Sequence, residues 1–270
     1  MINFKKYDYN TNKYPFRKLI EDLYNVQDLN KIHLTRSELL PEEKLNFNNE
    51  ASTNFHKLFY NKLNNNWEEF IETYENFIRD EISKIIVEPF LYQYLPSYRL
   101  QLPQDQAIHK WHYDSDKDHK HPDGEINFCL AITQMKNTTA IWSESEPGIK
   151  DFKPLEIDYG EFFQFNGNKC THGNKVNISE IKRPPHLSIG LLLLDLTIHL
   201  FFHPKRSPSP PNPASSSSSS LPPPSPIPSR LHAEWSGSSP LAPSNSIAAV
   251  SYASKSVWTA PKVIDLLAHA

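Results

Sequence analysis

The fold of this protein is indicated by residues 110–143, which read KWHYDSDKDHKHPDGEINFCLAITQMKNTTAIWS. A charged segment ends at Glu125, and residues 126–133 then form an apolar run, with Gly124 before it and Asn137 after it. Short runs of this kind, separated by turn-forming residues, are typical of β-strands. The same pattern predicts strands over residues 98–102, 126–133, 139–143, 153–157 and 161–165.

Residues 55–87, upstream of these strands, have a helical pattern. Apolar residues such as Phe70, Tyr74 and Phe77 recur at steps of three and four, which predicts a helix with one buried face. Helices followed by short strands predict a mainly β protein with N-terminal helices (α+β), of double-stranded β-helix (jelly-roll) type. In this interpretation residues 1–95 form a helical layer and residues 96–195 form the β core. A parallel α/β fold is disfavoured, because helical segments do not alternate with the strands.

The composition changes sharply after the predicted core. Of the 22 asparagines, 20 lie before residue 184, whereas 13 of the 23 prolines lie after residue 200. A chain rich in Pro and Ser buries too little apolar surface to offset the entropy of ordering it. We therefore predict that residues 196–270 form a disordered, low-complexity tail. The apolar run 187–202 is short for a membrane span and carries Asp195, so we interpret it as a buried strand leading into a linker.

Bulk properties exclude several classes of protein. The net charge of −3 and the lack of a basic stripe argue against binding to nucleic acid. The first ten residues have no apolar core of a signal peptide, so we predict a cytoplasmic protein with no membrane partner. Cys129 and Cys170 are the only cysteines and form no CxxC pair, so we expect buried, reduced thiols.

A candidate metal site is present in the stretch that defines the fold. His112 and Asp114 lie two residues apart, which places both side chains on one face of an extended strand. His172, after the strand predicted at 161–165, is the candidate third ligand. Two histidines and one carboxylate leave three coordination positions open, as expected for non-haem iron(II) oxygenases.

A second set of ligands competes with this one. His119, His121 and Glu125 follow a His-x-His-x3-Glu spacing, with His172 again as the distal ligand, which would indicate a cupin-like metal protein. The glycine usually found six residues before the first histidine of that motif is replaced by Tyr113. Residues 114–123 are also consistent with a charged loop near the mouth of the site.

Several blocks in order resemble a known family. HKWHYDSD (109–116), GEINFCLAIT (124–133), AIWSESEPG (140–148), YGEFFQFNG (159–167) and CTHGNKVN (170–177) are similar to 2-oxoglutarate/iron(II)-dependent dioxygenases. The similarity is to phytanoyl-CoA-hydroxylase-like members, in particular a bacterial hydroxylase subset of the streptomycin-biosynthesis type, and it covers about residues 95–183.

The resemblance implies a set of roles. Iron(II) would be held by His112, Asp114 and His172, with 2-oxoglutarate and dioxygen at the open positions and a small-molecule substrate nearby. Arg183, 11 residues after His172, would receive the far carboxylate of 2-oxoglutarate. The candidates for further polar contacts with this cosubstrate are Asn127 and Gln101, and those for a substrate rim are Trp142, Glu144 and Ser145.

The chain departs from the family immediately after Arg183. It continues Pro184-Pro185-His186-Leu187-Ser188, where the family has a small or β-branched residue, a serine and a strand ending in arginine. Consecutive prolines remove hydrogen-bond donors from a strand. We therefore hypothesise that a foreign or out-of-frame sequence begins near residue 183 and that the last core strand is missing or replaced by residues 187–194. A catalytically degenerate barrel is the corresponding alternative to an active enzyme.

Overall fold

A computed structural model describes residues 4–178, 192–200 and 262–264 of the chain. The N-terminal part of this structure is mostly helical, and its helices are α1 (Phe16–Tyr24), α2 (Ile32–Thr35), α3 (Asn54–Asn64), α4 (Glu68–Phe77) and α5 (Ser83–Ile85). The hydroxyl of Thr53 caps α3 by accepting a hydrogen bond from the amide of His56 at 3.4 Å. Among the residues that α3 and α4 bury are Phe55, Phe59 and Phe70, which are fully buried.

The single helix predicted over residues 55–87 is wrong, because it is divided between α3 and α4. Asn66 lies in the break and has a φ of 63°, a left-handed conformation that asparagine tolerates better than most residues. After α4 the backbone forms one π-helical turn at Ile78–Ile82 before α5. The apolar spacing runs through the break, which explains why periodicity alone did not reveal it.

The rest of the described structure consists of short strands: β1 (Phe4–Asp8), β2 (Phe90–Tyr92), β3 (Ser97–Leu100), β4 (Glu125–Ala131), β5 (Ile141–Ser143), β6 (Lys153–Leu155), β7 (Glu161–Phe165), β8 (His172–Asn174), β9 (Leu192–Leu200) and β10 (Lys262–Ile264). Strand β7 has the predicted bounds, and β3 to β6 each overlap a predicted strand. The sequence did not predict β1, β2, β8 or β10, and β10 lies within the segment predicted to be a disordered tail. The mainly β class with N-terminal helices is therefore confirmed, although the segment 1–95 also supplies two strands.

The strands form two antiparallel sheets. The large sheet has the order β1-β7-β4-β9-β2-β10, with β3 also paired to β9, and the small sheet has the order β6-β5-β8. Strand β4 pairs with β7 on one side and β9 on the other. Between β3 and β9 some strands belong to the large sheet and others to the small sheet, so the chain crosses from one sheet to the other several times.

Side chains of β4 alternate between two apolar cores. Phe128 and Leu130 belong to the core that also contains the helical aromatic residues, whereas Cys129 and Ala131 belong to a smaller core. That smaller core also contains Ile141 of the small sheet, so it lies between the two sheets. Residues in phase with Cys129 and Ala131 therefore face the space between the sheets.

Predictions about the C-terminal part have mixed outcomes. Strand β9 crosses the predicted boundary at residue 195 and continues to Leu200, so a strand fills this place in the large sheet, a few residues later than the proposed 187–194. Lys262–Ile264 pairs with β2. Residues 187–191, Arg183 and the remainder of the predicted tail lie outside the described residues. Within the described ranges, we find no helix with the length and apolar character that crossing a membrane requires.

Candidate metal centre

His112, Asp114 and His172 are brought together by pairing between two distant stretches of chain. His172 opens β8 and exchanges both backbone hydrogen bonds with His112, at 3.1 and 2.8 Å. The amide of Asp114 donates to the carbonyl of Gly167 at 2.9 Å. The backbone therefore fixes all three residues at one end of the space between the sheets.

The three side chains are close enough to share one ion. Oδ1 of Asp114 lies 3.5 Å from Nε2 of His112 and 3.7 Å from Nε2 of His172. The set of potential ligand atoms lies within 4.8 Å of one another. Two ligands at right angles around a transition metal, with bonds of about 2.1 Å, are about 3 Å apart. Small side-chain movements would therefore be enough to close the arrangement on a metal.

Both imidazole rings are oriented by a hydrogen bond from Nδ1. Nδ1 of His112 lies 2.8 Å from the carbonyl oxygen of Lys110, and Nδ1 of His172 lies 3.1 Å from that of Cys170. A carbonyl only accepts, so each Nδ1 carries the proton and donates it. This leaves the Nε2 lone pairs of both rings facing Asp114, which is the tautomer a metal ligand needs.

The charges in the site also suit a divalent cation. Burial lowers the pKa of His172 to about 4, so this ring is neutral near pH 7. Burial alone would raise the pKa of Asp114, but the adjacent His172 and His112 outweigh it and hold the pKa of that carboxyl below its usual range. The site therefore offers an ionised carboxylate together with a neutral imidazole.

Asn127 holds the carboxylate in place from behind. Its Nδ2 donates to Oδ2 of Asp114 at 2.9 Å, which leaves Oδ1 facing the histidines. The same amide lies 3.3 Å from Oε1 of Glu125, and the other carboxylate oxygen of Glu125 is 2.9 Å from Nδ1 of His121. Asp114, His121 and Glu125 thus form a second, adjoining cluster of potential ligands.

The ligand set of the cupin-like alternative is not assembled. Within the described residues, the groups of three or more potential ligands are the two just named, and neither combines His119, His121, Glu125 and His172. The ring of His119 stacks on that of His112 at 4.1 Å, and its Nδ1 lies 2.8 Å from the carboxylate of Asp116. In the described residues His119 pairs with Asp116, and His121 pairs with Glu125.

Gln101 lies in a structural position. Its Nε2 is 2.7 Å from the carbonyl of Lys175, 3.1 Å from that of Asp105 and 3.2 Å from that of Thr138. Its side chain is fully buried, and it connects three loops. These contacts favour a role in packing over contact with a cosubstrate.

The residues suggested for a substrate rim differ from one another. The carboxylate of Glu144 accepts hydrogen bonds from the amides of Thr171 at 2.7 Å and Lys150 at 3.0 Å, so it supports the backbone next to His172. The amide of Ser145 donates to Asp151 at 2.8 Å. Trp142 is half-buried, and the ammonium of Lys175 lies 3.2 Å from the centroid of its ring.

Two glycines next to the site were missed by sequence reasoning. A Cβ added to Gly167 would lie 2.8 Å from Oδ1 of Asn127 and 3.0 Å from Oδ2 of Asp114. A Cβ added to Gly173 would lie 2.9 Å from a ring carbon of Trp111. Both glycines lie inside the blocks 159–167 and 170–177, and a glycine in such a block is a signal that could have indicated close approach of the backbone.

Comparison with known proteins places these features in a wider context. The chain is 24% identical over 183 residues to the streptomycin biosynthesis protein StrG of Streptomyces griseus, which covers 68% of this chain and 82% of StrG. This similarity confirms the resemblance to streptomycin-biosynthesis-type proteins that the motifs indicate. No family model matches the chain.

Solved structures show a more distant likeness. AviO1 from Streptomyces viridochromogenes Tue57 is 12% identical, with a TM-score of 0.40 over 77% of this chain and 93% of AviO1. HygX from Streptomyces hygroscopicus, solved with nickel and 2-oxoglutarate, is 9% identical, with a TM-score of 0.35 over 74% of this chain and 84% of HygX. Scores of this size do not establish a shared fold.

Proposed function

We propose that this protein is an iron(II)- and 2-oxoglutarate-dependent dioxygenase that hydroxylates a small-molecule substrate. The observation that carries the proposal is the convergence of Nε2 of His112, Nε2 of His172 and a carboxylate oxygen of Asp114 within 4.8 Å of one another. Two nitrogen ligands and one oxygen ligand on one side of an ion are typical of non-haem iron(II) oxygenases.

The donor set fits ferrous iron. Neutral imidazole and ionised carboxylate are ligands that iron(II) accepts, and structural zinc sites more often have a fourth protein ligand. Asp114, His112 and His172 would hold the ion. When bound, it would supply the redox chemistry of a hydroxylation coupled to oxidative decarboxylation of 2-oxoglutarate.

The chain itself contributes orientation and a dry environment. The carbonyls of Lys110 and Cys170 hold the two rings, and Asn127 holds the carboxylate of Asp114. The ring of Phe165 meets that of His172 edge-on, with 5.3 Å between centroids. This apolar ring covers one side of His172, and charge interactions are stronger where water is excluded.

The strand order supports a double-stranded β-helix as the fold of the core. Strands β3, β4, β7 and β9 belong to the large sheet, whereas β5, β6, β8 and the bridge at His112 belong to the small sheet. The chain alternates between two facing sheets in the way that a jelly roll requires. In this proposal β9 occupies the position of the final core strand.

Anaerobic titration of the full-length protein with iron(II) and then 2-oxoglutarate tests the function. The wild type is expected to develop a weak visible charge-transfer band, and His172→Ala is expected to bind neither iron nor cosubstrate. His119→Ala is the matched control, since His119 packs beside the site but is not a proposed ligand. A folded wild-type protein that binds iron without producing the band would contradict the proposal.

Turnover is tested separately by succinate formation in air. The name of StrG associates that relative with streptomycin biosynthesis, so intermediates of antibiotic biosynthesis are the first substrates to screen. Substrate-dependent succinate that is absent in His172→Ala is the expected result.

A binding protein without turnover is the second candidate, and the altered sequence after Arg183 favours it. In that case the wild type would form the charge-transfer band but produce no succinate with any substrate in the screen. The two candidate functions therefore predict the same result in the anaerobic titration and different results in the succinate assay.

A further inference from the structure

Arg99 lies on the inner face of the large sheet. Its neighbours on β3, Tyr98 and Leu100, belong to the core on the helical side, so Arg99 points the other way. Its Cα pairs with Leu193 of β9, which pairs in turn with Ala131 of β4. Ala131 belongs to the apolar core between the two sheets. Arg99 therefore carries a positive charge into the same interior as the candidate metal site.

This charge has no partner among the described residues. Nε of Arg99 is buried without a hydrogen-bond partner. The other described arginines are all engaged: Arg17 donates to the carbonyl of Ile132 at 2.7 Å, Arg36 pairs with Glu38 and Arg79 with Asp80. Arg99 as a whole is half-buried, and a cation that is partly removed from water without a protein partner is suited to receive an anion supplied by a ligand.

The imidazole rings of His56 and His172 interact electrostatically with Arg99 but do not neutralise its charge. Burial, with a smaller contribution from the positive charge of Arg99, lowers the pKa of His56 to about 3 and that of His172 to about 4. Both rings are therefore neutral near pH 7. The charge of Arg99 is one cause of the lowered pKa of His172, so it acts on a proposed metal ligand.

We propose that Arg99 receives a carboxylate of the ligand that binds between the two sheets. This proposal rests on the proposed function, in which the carboxylate is the one of 2-oxoglutarate that lies farther from the metal. The family resemblance assigns the binding of that carboxylate to Arg183. A planar guanidinium matches a carboxylate through two parallel hydrogen bonds, and lysine does not reproduce this geometry. The arginine that binds this carboxylate would thus lie on β3, near the beginning of the β core in the sequence, whereas Arg183 lies near its end.

Ligand affinities separate the far carboxylate from the rest of the cosubstrate. We would measure binding of 2-oxoglutarate and of 2-oxobutanoate, which lacks the far carboxylate, to manganese-loaded full-length protein by calorimetry. In Arg99→Met the affinity for 2-oxoglutarate should fall about 100-fold, the scale expected when a buried charge loses its partner, while binding of 2-oxobutanoate should be unchanged. Arg99→Lys should recover part of the loss.

The controls distinguish the possible failures. Arg183→Met is measured in parallel, and a selective loss there with none in Arg99→Met would overturn the assignment. Equal weakening of both ligands in Arg99→Met would also overturn it, because it would indicate a structural role. Asp195→Asn tests whether a protein carboxylate neutralises Arg99, since Asp195 pairs with Ser97, two register rows from the pair of Arg99 with Leu193. A rise in the affinity for 2-oxoglutarate in that variant would show that Asp195 already neutralises Arg99 and would count against the proposal.

Failure of the proposed function itself gives another result. If wild-type protein binds manganese but neither ligand, 2-oxoglutarate is not the cosubstrate, and the assignment to Arg99 falls with it. If Arg99→Met does not fold, the test uses the ratio of the affinities for 2-oxoglutarate and 2-oxobutanoate in the wild type and in Arg99→Lys. A wild-type preference for 2-oxoglutarate below about tenfold would overturn the assignment. The same preference in Arg99→Lys as in the wild type would also overturn it.

Discussion

Asn127 is the single residue whose removal best tests how the candidate ligands are held. Replacing it with leucine keeps the volume but removes the donor to Oδ2 of Asp114. Metal affinity is expected to fall by about 10- to 100-fold, as when other groups that orient metal ligands are removed. Competition with a chelator measures this change.

Asn168→Leu is the matched control for Asn127→Leu. Asn168 is equally buried, but its amide donates to the carbonyl of Pro122 and not to a candidate ligand. An equal loss of metal affinity in the two variants would show that general loosening, and not the contact with Asp114, is responsible.

His56 is expected to make the stability of the protein depend on pH. Burial lowers its pKa from the ordinary 6.5 to about 3, so between these values the unfolded chain binds a proton that the folded chain does not. The free energy of unfolding should therefore decrease as pH falls from about 6.5 toward 3, by about 2 kcal/mol at pH 5 from this residue alone. Urea denaturation at pH 7.5 and pH 5 measures the difference.

The variant His56→Gln provides the comparison for that measurement. Glutamine can still meet the hydroxyl of Thr53, which lies 2.7 Å from Nδ1 of His56, but it does not titrate. The loss of stability between the two pH values should be smaller in the variant, and an identical loss in both proteins would contradict the assignment.

Residue-level features differ in how far the sequence reveals them. His112 and Asp114 could be found from their two-residue spacing, since that spacing alone places them on one strand face. That Arg99 has no partner among the described side chains could not be found from the sequence, because its surroundings are set by pairing with β9, which is distant in sequence. The orientation of Gln101 was equally hidden, because its three acceptors come from separate loops.

At the level of elements, the contact between β8 and the segment before His112 is tightly packed. Gly173→Ala would place a Cβ 2.9 Å from the ring of Trp111, which is itself packed against Phe152 with 4.8 Å between centroids. We expect a loss of about 1–3 kcal/mol in the free energy of unfolding, because overpacking forces neighbouring groups to shift. Denaturant unfolding of the full-length protein measures it.

A second substitution tests the cause of that loss. Trp111→Leu in the Gly173→Ala background makes room for the new methyl group, so it should recover part of the stability. A double variant no more stable than Gly173→Ala would argue that the glycine is needed for another reason.

Short strands could be predicted where their own residues have strand character. They could not be predicted where the strand conformation depends on pairing with another strand. The run EFFQF at Glu161–Phe165 has the aromatic character of a strand and was predicted with its correct bounds. The run FKKYD at Phe4–Asp8 is short and charged, and it becomes a strand by pairing along the full length of β7. Strand β8 contains glycine and asparagine, which resemble a turn, and its strand conformation comes from pairing with β5.

At the scale of the whole molecule, β9 is the element on which the large sheet depends. It pairs with β4, β3 and β2, and among the described strands no other one pairs with more than one of these three. A chain ending at residue 183 should therefore expose unpaired strand edges and aggregate. A chain ending at residue 201 retains β9 and should remain soluble and fold cooperatively.

Soluble yield and thermal melting of the two shortened proteins measure this difference. A soluble, cooperatively melting chain that ends at residue 183 would show that β9 is dispensable. The sequence placed a strand near this position but could not fix its register, since a run of leucines has no alternation to specify one.

The backbone rung that joins His112 to His172 brings two candidate ligands of one ion together. Any ion that binds only the closed form adds RT ln(1 + [M]/Kd) to the free energy of unfolding. The melting temperature of this protein would then rise with the free concentration of metal in its surroundings. In a metal-starved cell the same rung would open more often, and the lifetime of the protein would depend on the supply of the metal that binds here.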